Sequence, residues 1–349
     1  MNPTLVEALR GGHVESHHAG AVAVVDADGA VVAALGDVER AVFPRSAVKV
    51  LQALPLVASG AAERLALTDA ELALACASHR GEPLHAATAA AMLAKAGVDE
   101  TCLECGSHWP YDEAAARALA AQGREPTALH NNCSGKHAGF VCLGCHIARP
   151  GADLRGFLRG YVAPEHAVMR QVTAALAAAT GTDLAAAPRA TDGCSIPTFA
   201  IPLRALALAF ARIGSGTGLS PAHAAAARRL RQAVAREPFM VAGTGRMDTR
   251  VMQRFGERVF MKVGAEGMYC AALPERGLGL AIKIDDGNNA RAAEVAVAAA
   301  IEAALALDGE ELAFMRGFSD AVLANWRGIE VGALRATPAL RDALARALA

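Results

Sequence analysis

The chain has 349 residues, 53% of them hydrophobic, and a net charge of −1. That length can bury a large core, and the near-neutral charge speaks against a nucleic-acid or membrane-surface role. No run of about 18 uncharged apolar residues offers a membrane span, and the opening MNPTLVEALRGGHVESHH lacks the apolar segment of an export signal, so a soluble cytoplasmic protein with mostly reduced cysteines is expected.

Residues 19–37 hold two valine-rich runs around Asp26-Ala-Asp-Gly29 and read as a β-hairpin. A helix is predicted from Ser46 to about Ala58, stopped by Gly60. Thr68-Asp-Ala-Glu71 is a capping box that opens a short helix ending near Ser78-His-Arg-Gly81. Helices follow at about 83–96, 112–122, 134–146 and 163–180, the last with Pro164 in its first turn. Three more are predicted at 202–213, 220–236 and 247–255. The texture then changes to strands at Val259–Lys262, Met268–Leu273 and Leu278–Ile284, followed by an alanine-rich helix over about 288–307. The tail from about 310 gives no functional signal. Strands near both ends with helices between them predict an α+β protein. A sheet lobe would come from about 1–45 and 257–349, a helical lobe from about 46–256, and the cleft would lie between them.

Of the 34 basic residues only five are lysine: Lys49, Lys95, Lys136, Lys262 and Lys283. A chain that writes its cations as arginine points to its few lysines as candidates for work arginine cannot do, because only lysine can lose its proton in a protein.

In FPRSAVKVLQ, Ser46 and Lys49 stand three residues apart at a helix start, on one face. The first-turn N–H groups could hold an oxyanion, and a neutral Lys49 could take the serine proton. An N-cap serine beside a solvated lysine is the plainer reading of the same spacing. Lys262-Val-Gly-Ala-Glu-Gly267 ends a strand much as the K-[ST]-G strand does in serine hydrolases that use S-x-x-K, with valine in place of the hydroxyl residue. His130-Asn-Asn-Cys-Ser-Gly-Lys-His137 and Thr191-Asp-Gly-Cys-Ser-Ile-Pro197 bring thiols from two separate segments that could hold zinc. The pairs Cys102/Cys105 and Cys142/Cys145 are both C-x-x-C, but their separation is wide for a zinc ribbon, and buried thiols are the favoured reading.

Taken in order, RSAVK, CASHRGE, HNNCSGKHAGF, TDGCSIPTFAIPL, GTGRMDT, KVGAEG and GLGLAIKIDDGN resemble the L-asparaginase II family, the class 3, rhizobial-type asparaginases with a serine-β-lactamase-like fold. The resemblance runs over nearly the whole chain, and it alone implies the substrate. It implies an amidohydrolase converting L-asparagine to L-aspartate and ammonia through two Ser–Lys pairs, Ser46 with Lys49 and Ser78 with Lys262. Ser46 is favoured as nucleophile. It also implies zinc on Cys133, Lys136 and Cys194 with water completing the shell, the metal not being the direct activator of the nucleophile, and a homodimer. For the charged ends of asparagine, Arg45 suits the α-carboxylate, and Asp192 or Glu266 suits the α-ammonium. Asn132 and His137 are expected to line the pocket. Two other readings stand beside this one: another S-x-x-K serine amidase or peptidase, and a non-enzymatic zinc-binding module.

Overall fold

The computed structural model describes residues 1–348. Twelve strands run in chain order: β1 Thr4–Arg10, β2 His13–Asp26, β3 Val31–Leu35, β4 Ala41–Val42, β5 Arg189–Thr191, β6 Pro197–Phe199, β7 Ile201–Pro202, β8 Phe260–Val263, β9 Met268–Leu273, β10 Leu278–Ile284, β11 Asp320–Ala324 and β12 Glu330–Ala336. Eight of them form one antiparallel sheet in the order β11-β12-β1-β2-β10-β9-β8, with β3 also on β2. The α+β expectation holds, and strands from both ends of the chain share this sheet. The two most apolar runs lie at its centre. Ala281 of β10 sits between Ala23 of β2 and Cys270 of β9, and all three are fully buried.

Helices cover both faces. Leu203–Ser215 lies so close to β10 that a Cβ on Gly279 would come within 2.0 Å of the Ala207 carbonyl oxygen, so only glycine fits there. Glu294–Ala304 and Pro338–Leu348 pack on other parts of the sheet. The long middle of the chain is helical, as expected. Among the described residues no helix is long and apolar enough to cross a membrane.

Three expectations need correction. Pro164 lies upstream of its helix, which begins at Ala167 because the His166 ring caps it by accepting the Val168 N–H at 3.1 Å. The segment predicted as one helix over 288–307 opens as a π turn at Asn289–Ala293, with Asn288 capping the Arg291 N–H. It ends at Ala304, where Leu305 becomes extended. The unassigned tail supplies the helix Gly309–Ser319, β11 and β12, and β12 pairs with β1 from Val6↔Ala336 to Arg10↔Gly332.

Candidate active site

The site forms where the edge strand β8 meets a turn from the N-terminal third of the chain. Ser46 lies in a single 3₁₀ turn, Arg45–Val48, which leads into the helix Lys49–Ala58. Gly264, just after β8, lets these parts meet. A Cβ there would lie 2.8 Å from the Pro44 carbonyl oxygen and 2.6 Å from Met268 Cβ. The glycine of KVGAEG is therefore a close-approach residue.

Lys49 is sealed from water, and its Nζ lies 2.6 Å from the Ala77 carbonyl, 2.9 Å from Ser78 Oγ and 3.1 Å from Cys133 Sγ. A neutral amine could donate to two of these and accept the Ser78 proton. Burial pushes Lys49 below its ordinary pKa; the nearby Cys133 opposes this and Lys136 assists it. Lys262 is also fully buried, and its one hydrogen bond goes to the Val263 carbonyl at 2.8 Å. Burial lowers it to about 7, partly offset by Asp248 and reinforced by Lys49. The structure thus bonds Lys49 to Ser78 rather than to Ser46. Among the described residues neither Ser46 Oγ with Lys49 nor Ser78 Oγ with Lys262 forms a hydrogen bond.

The amides beside the serines are mostly committed. Ala47 N–H donates to Pro44 at 3.1 Å, Ser78 N–H to Val241 at 2.9 Å and Gly264 N–H to Met268 at 2.8 Å. Among the described residues the amides of Ser46 and Ala265 find no acceptor. These two N–H groups flank the Pro44–Gly264 contact and are free to hold a developing oxyanion.

Behind the serines lies the thiol cluster. Asn131 sets its start by accepting the Cys133 N–H at 2.8 Å. Lys136 Nζ donates to Cys194 Sγ at 2.9 Å, and Cys194 Sγ donates to Asp192 at 3.2 Å. The neighbouring Cys194 thiol holds Cys133 well below the ordinary thiol value. Burial opposes this, and Lys49 and Lys136 add to it. Cys133 in turn, with burial, pushes Cys194 up. Lys136 is raised: burial opposes, but Cys133 and Cys194 outweigh it. Cys133, Lys136 and Cys194 therefore do converge, and two sulfurs and an amine nitrogen are donors zinc accepts once deprotonated. Among the described residues no three His, Cys, Asp or Glu side chains form a metal cluster, so the trio depends on counting the lysine. The C-x-x-C pairs form no such cluster either: Cys142 bonds the Met92 carbonyl, Cys105 bonds the Ala128 carbonyl, and both thiols are pushed up to about 12 by burial.

A cavity of about 330 Å³ opens beside the site, lined by Arg45, Glu266, Thr191, Thr198 and Lys283 among others. Neither serine lines it, but Arg45 adjoins Ser46 in the chain. Asp192 holds Arg45 through Nε at 2.5 Å, leaving the two terminal nitrogens for a ligand. Both Asp192 oxygens are therefore occupied, one by Arg45 and one by Cys194. The Glu266 carboxylate has no hydrogen-bond partner among the described residues, so of the two acids it is the one open to an ammonium group. Lys283 pins the turn by donating to the Glu266 carbonyl at 2.6 Å. Among the described residues four non-glycine residues have left-handed backbone, and three of them, Arg45, Ser195 and Glu266, belong to this site (φ 51°, 77° and 58°). Such strain persists where surrounding structure enforces it, commonly at functional sites. Asn132 is half-buried, its N–H on His108 at 3.0 Å. His137 is fully buried with Nδ1 2.5 Å from the Tyr161 hydroxyl, and it is not among the cavity's lining residues. Lys95 instead braces the fold, pairing with Glu71 at 2.6 Å.

The sequence reading gave Asp248 and Ala265 no part. Asp248 is the sole carboxylate of GTGRMDT and opens a helix after a glycine-rich loop, which is the signal that could have marked it. Ala265 carries only a free amide, which no side-chain pattern can show.

A buried amine on a hydroxyl, with a second buried amine, free amides and a charged cavity alongside, suits the hydrolysis of amides, and comparison with known proteins places the chain among the amidohydrolases. Residues 6–336 match the family model for L-asparaginase II, and the chain belongs to that family. Among curated proteins none matches the chain. Three solved structures of Mglu align at 14% identity over 84% of this chain. The first has a TM-score of 0.34 with 69% of its own length covered, its tris and glutamate form 0.34 with 61%, and its native form 0.33 with 67%. At those TM-scores the likeness is too loose to argue from.

Proposed function

We propose that the protein hydrolyses L-asparagine to L-aspartate and ammonia by Ser–Lys nucleophilic catalysis. The observation that carries this is the fully buried Lys49, bonded to Ser78 Oγ at 2.9 Å, beside a second buried lysine lowered to about 7. In this reading Ser46 attacks the side-chain amide carbon. Its hydroxyl is uncommitted among the described residues, and its own N–H, with that of Ala265, holds the oxyanion. The Ser78 hydroxyl, held on Lys49 Nζ at 2.9 Å, relays the Ser46 proton to that amine, and a lysine ammonium protonates the amide nitrogen as it departs as ammonia. A water deprotonated by Lys262 or Lys49 then releases aspartate from the acyl-enzyme. Arg45 binds the α-carboxylate through its terminal nitrogens, and Glu266 binds the α-ammonium.

The proposal includes zinc on Cys133, Lys136 and Cys194. Bound there, it would supply a fixed positive charge behind Asp192 and tie the helix Ser134–Ile147 to the β5–β6 hairpin. The serine-β-lactamase-like arrangement, the cytoplasmic location and the homodimer belong to the same proposal, and all three rest on the family resemblance.

The test is ammonia release from asparagine and glutamine by the wild type and Ser46→Ala. Glutamine is one methylene longer, so a pocket gripping both charged ends misplaces its amide. Asparagine is expected to be turned over well above glutamine, and Ser46→Ala to lose turnover. Comparable rates on the two amides, or full activity in Ser46→Ala, would overturn the reading.

A further inference from the structure

The GTGRMDT segment opens the helix Met247–Phe255, and Asp248 stands fully buried in its first turn, where the free N–H groups favour a carboxylate. One Asp248 oxygen accepts the Val263 N–H at 2.9 Å, and the other accepts the Tyr269 hydroxyl at 2.5 Å. Val263 follows Lys262 in the edge strand β8, and Tyr269 is the residue across the ladder from Val263. The carboxylate thus ties both strands together at the residue after the lysine. It does so without pairing with the lysine, whose hydrogen bond goes to the Val263 carbonyl and which has no acidic partner within 4 Å among the described residues.

We propose that Asp248 is a positioning residue for Lys262: its two committed oxygens fix the strand that carries the amine and hold a negative charge near it but out of contact. A carboxylate in direct contact would lock the lysine as an ammonium, and an apolar residue would leave nothing to moderate the cost of burial. The groups that act on Lys262 come from every side. Asp248 and Arg246 stand at the start of one helix, Lys49 on another and Cys133 ahead of a third, while the thiols of Cys270, across the ladder on β9, and Cys76 also face it. Asp248 is itself faced by Tyr269 from β9 and by Glu294 from the helix Glu294–Ala304, and Glu294 is 3.4 Å from Arg246. Of the first set, Asp248 is the strongest influence opposing burial. The inference rests on the reading of Lys262 as a base.

Because the chain has only five lysines, protein labelled with ¹³C and ¹⁵N in lysine gives few side-chain signals, and Lys262→Arg identifies the one from Lys262. In Asp248→Asn that signal should titrate roughly one pH unit lower than in wild type, and the acid limb of kcat/KM for asparagine should move the same way. In Tyr269→Phe the freed oxygen can swing toward the amine, so the titration should move up and activity at neutral pH should fall. An unmoved Lys262 titration in both variants would overturn the proposal, even if activity drops, because a merely structural role lowers kcat without shifting it. If Asp248→Asn fails to fold, Tyr269→Phe decides alone. The titration needs no turnover. A wild type that releases no ammonia would sink the asparaginase reading and leave this result standing.

Discussion

Lys136 and Lys262 are equally hidden from water, with 3% and 0% of their surface exposed, yet their surroundings drive them to opposite charge states. Lys136 sits among Cys133, Cys194 and Asp192, and these partners outweigh burial and raise its pKa. Lys262 has one acid nearby, already bonded elsewhere, and burial lowers it to about 7. Burial alone therefore does not make a base. The protein makes one by withholding the counter-charge, and it makes a cation or a metal ligand by supplying it.

Stability gives the largest contrast between the two. The folded pKa of Lys262 lies below its ordinary 10.5, so the unfolded chain binds the extra proton between pH 7 and 10.5. Wild-type stability should thus climb with pH through that window, and the full penalty applies below it. At about 1.36 kcal/mol per unit the penalty is about 5 kcal/mol. Lys262→Met should therefore be the more stable protein at pH 6, by up to that amount, with the gain fading toward pH 10. Lys136→Met should instead lose about 3 kcal/mol, because it removes the buried cation that Cys133 and Asp192 face. Denaturant titrations of both variants across pH check this, and a shared sign would break the comparison.

Next in size is Gly264→Ala, which forces a methyl group into the Pro44 carbonyl and Met268. A loss of about 1–3 kcal/mol is expected, with kcat falling more than KM rises, since the turn holding Ser46 is pushed from β8. Unchanged kinetics would show that the approach of β8 to the turn is incidental.

The smallest effect is on the pH profile. With Lys262 near 7, kcat/KM for asparagine should fall as pH drops below neutrality, approaching tenfold per unit as the base protonates. A profile flat down to pH 5 would remove Lys262 as the titrating group.

The sequence made the centre of the fold legible, because the second half of β2, residues 20–25, and β10 are rich in aliphatic residues and buried on both faces. It did not reveal β1, whose TLVEALR mixes charges with apolar residues, or β11 and β12, whose side chains are mostly exposed or half-buried. The site residues were recognisable by type, and Cys133, Lys136 and Cys194 do converge. The partnership of Lys49 was not legible. Spacing of three paired it with Ser46, but Arg45–Val48 is a 3₁₀ turn, and the long lysine stem reaches across to the end of a neighbouring helix, where Ser78 stands. The choice between Asp192 and Glu266 likewise needed coordinates, since only the structure shows both Asp192 oxygens occupied.

The most direct test is ammonia release from asparagine by Lys49→Arg and Lys262→Arg, with Lys136→Arg alongside. Arginine keeps the charge and cannot give up its proton. Turnover in the first two variants should fall by roughly 10²–10⁴, and by much less in the third. Wild-type rates in both Lys49→Arg and Lys262→Arg would contradict the account.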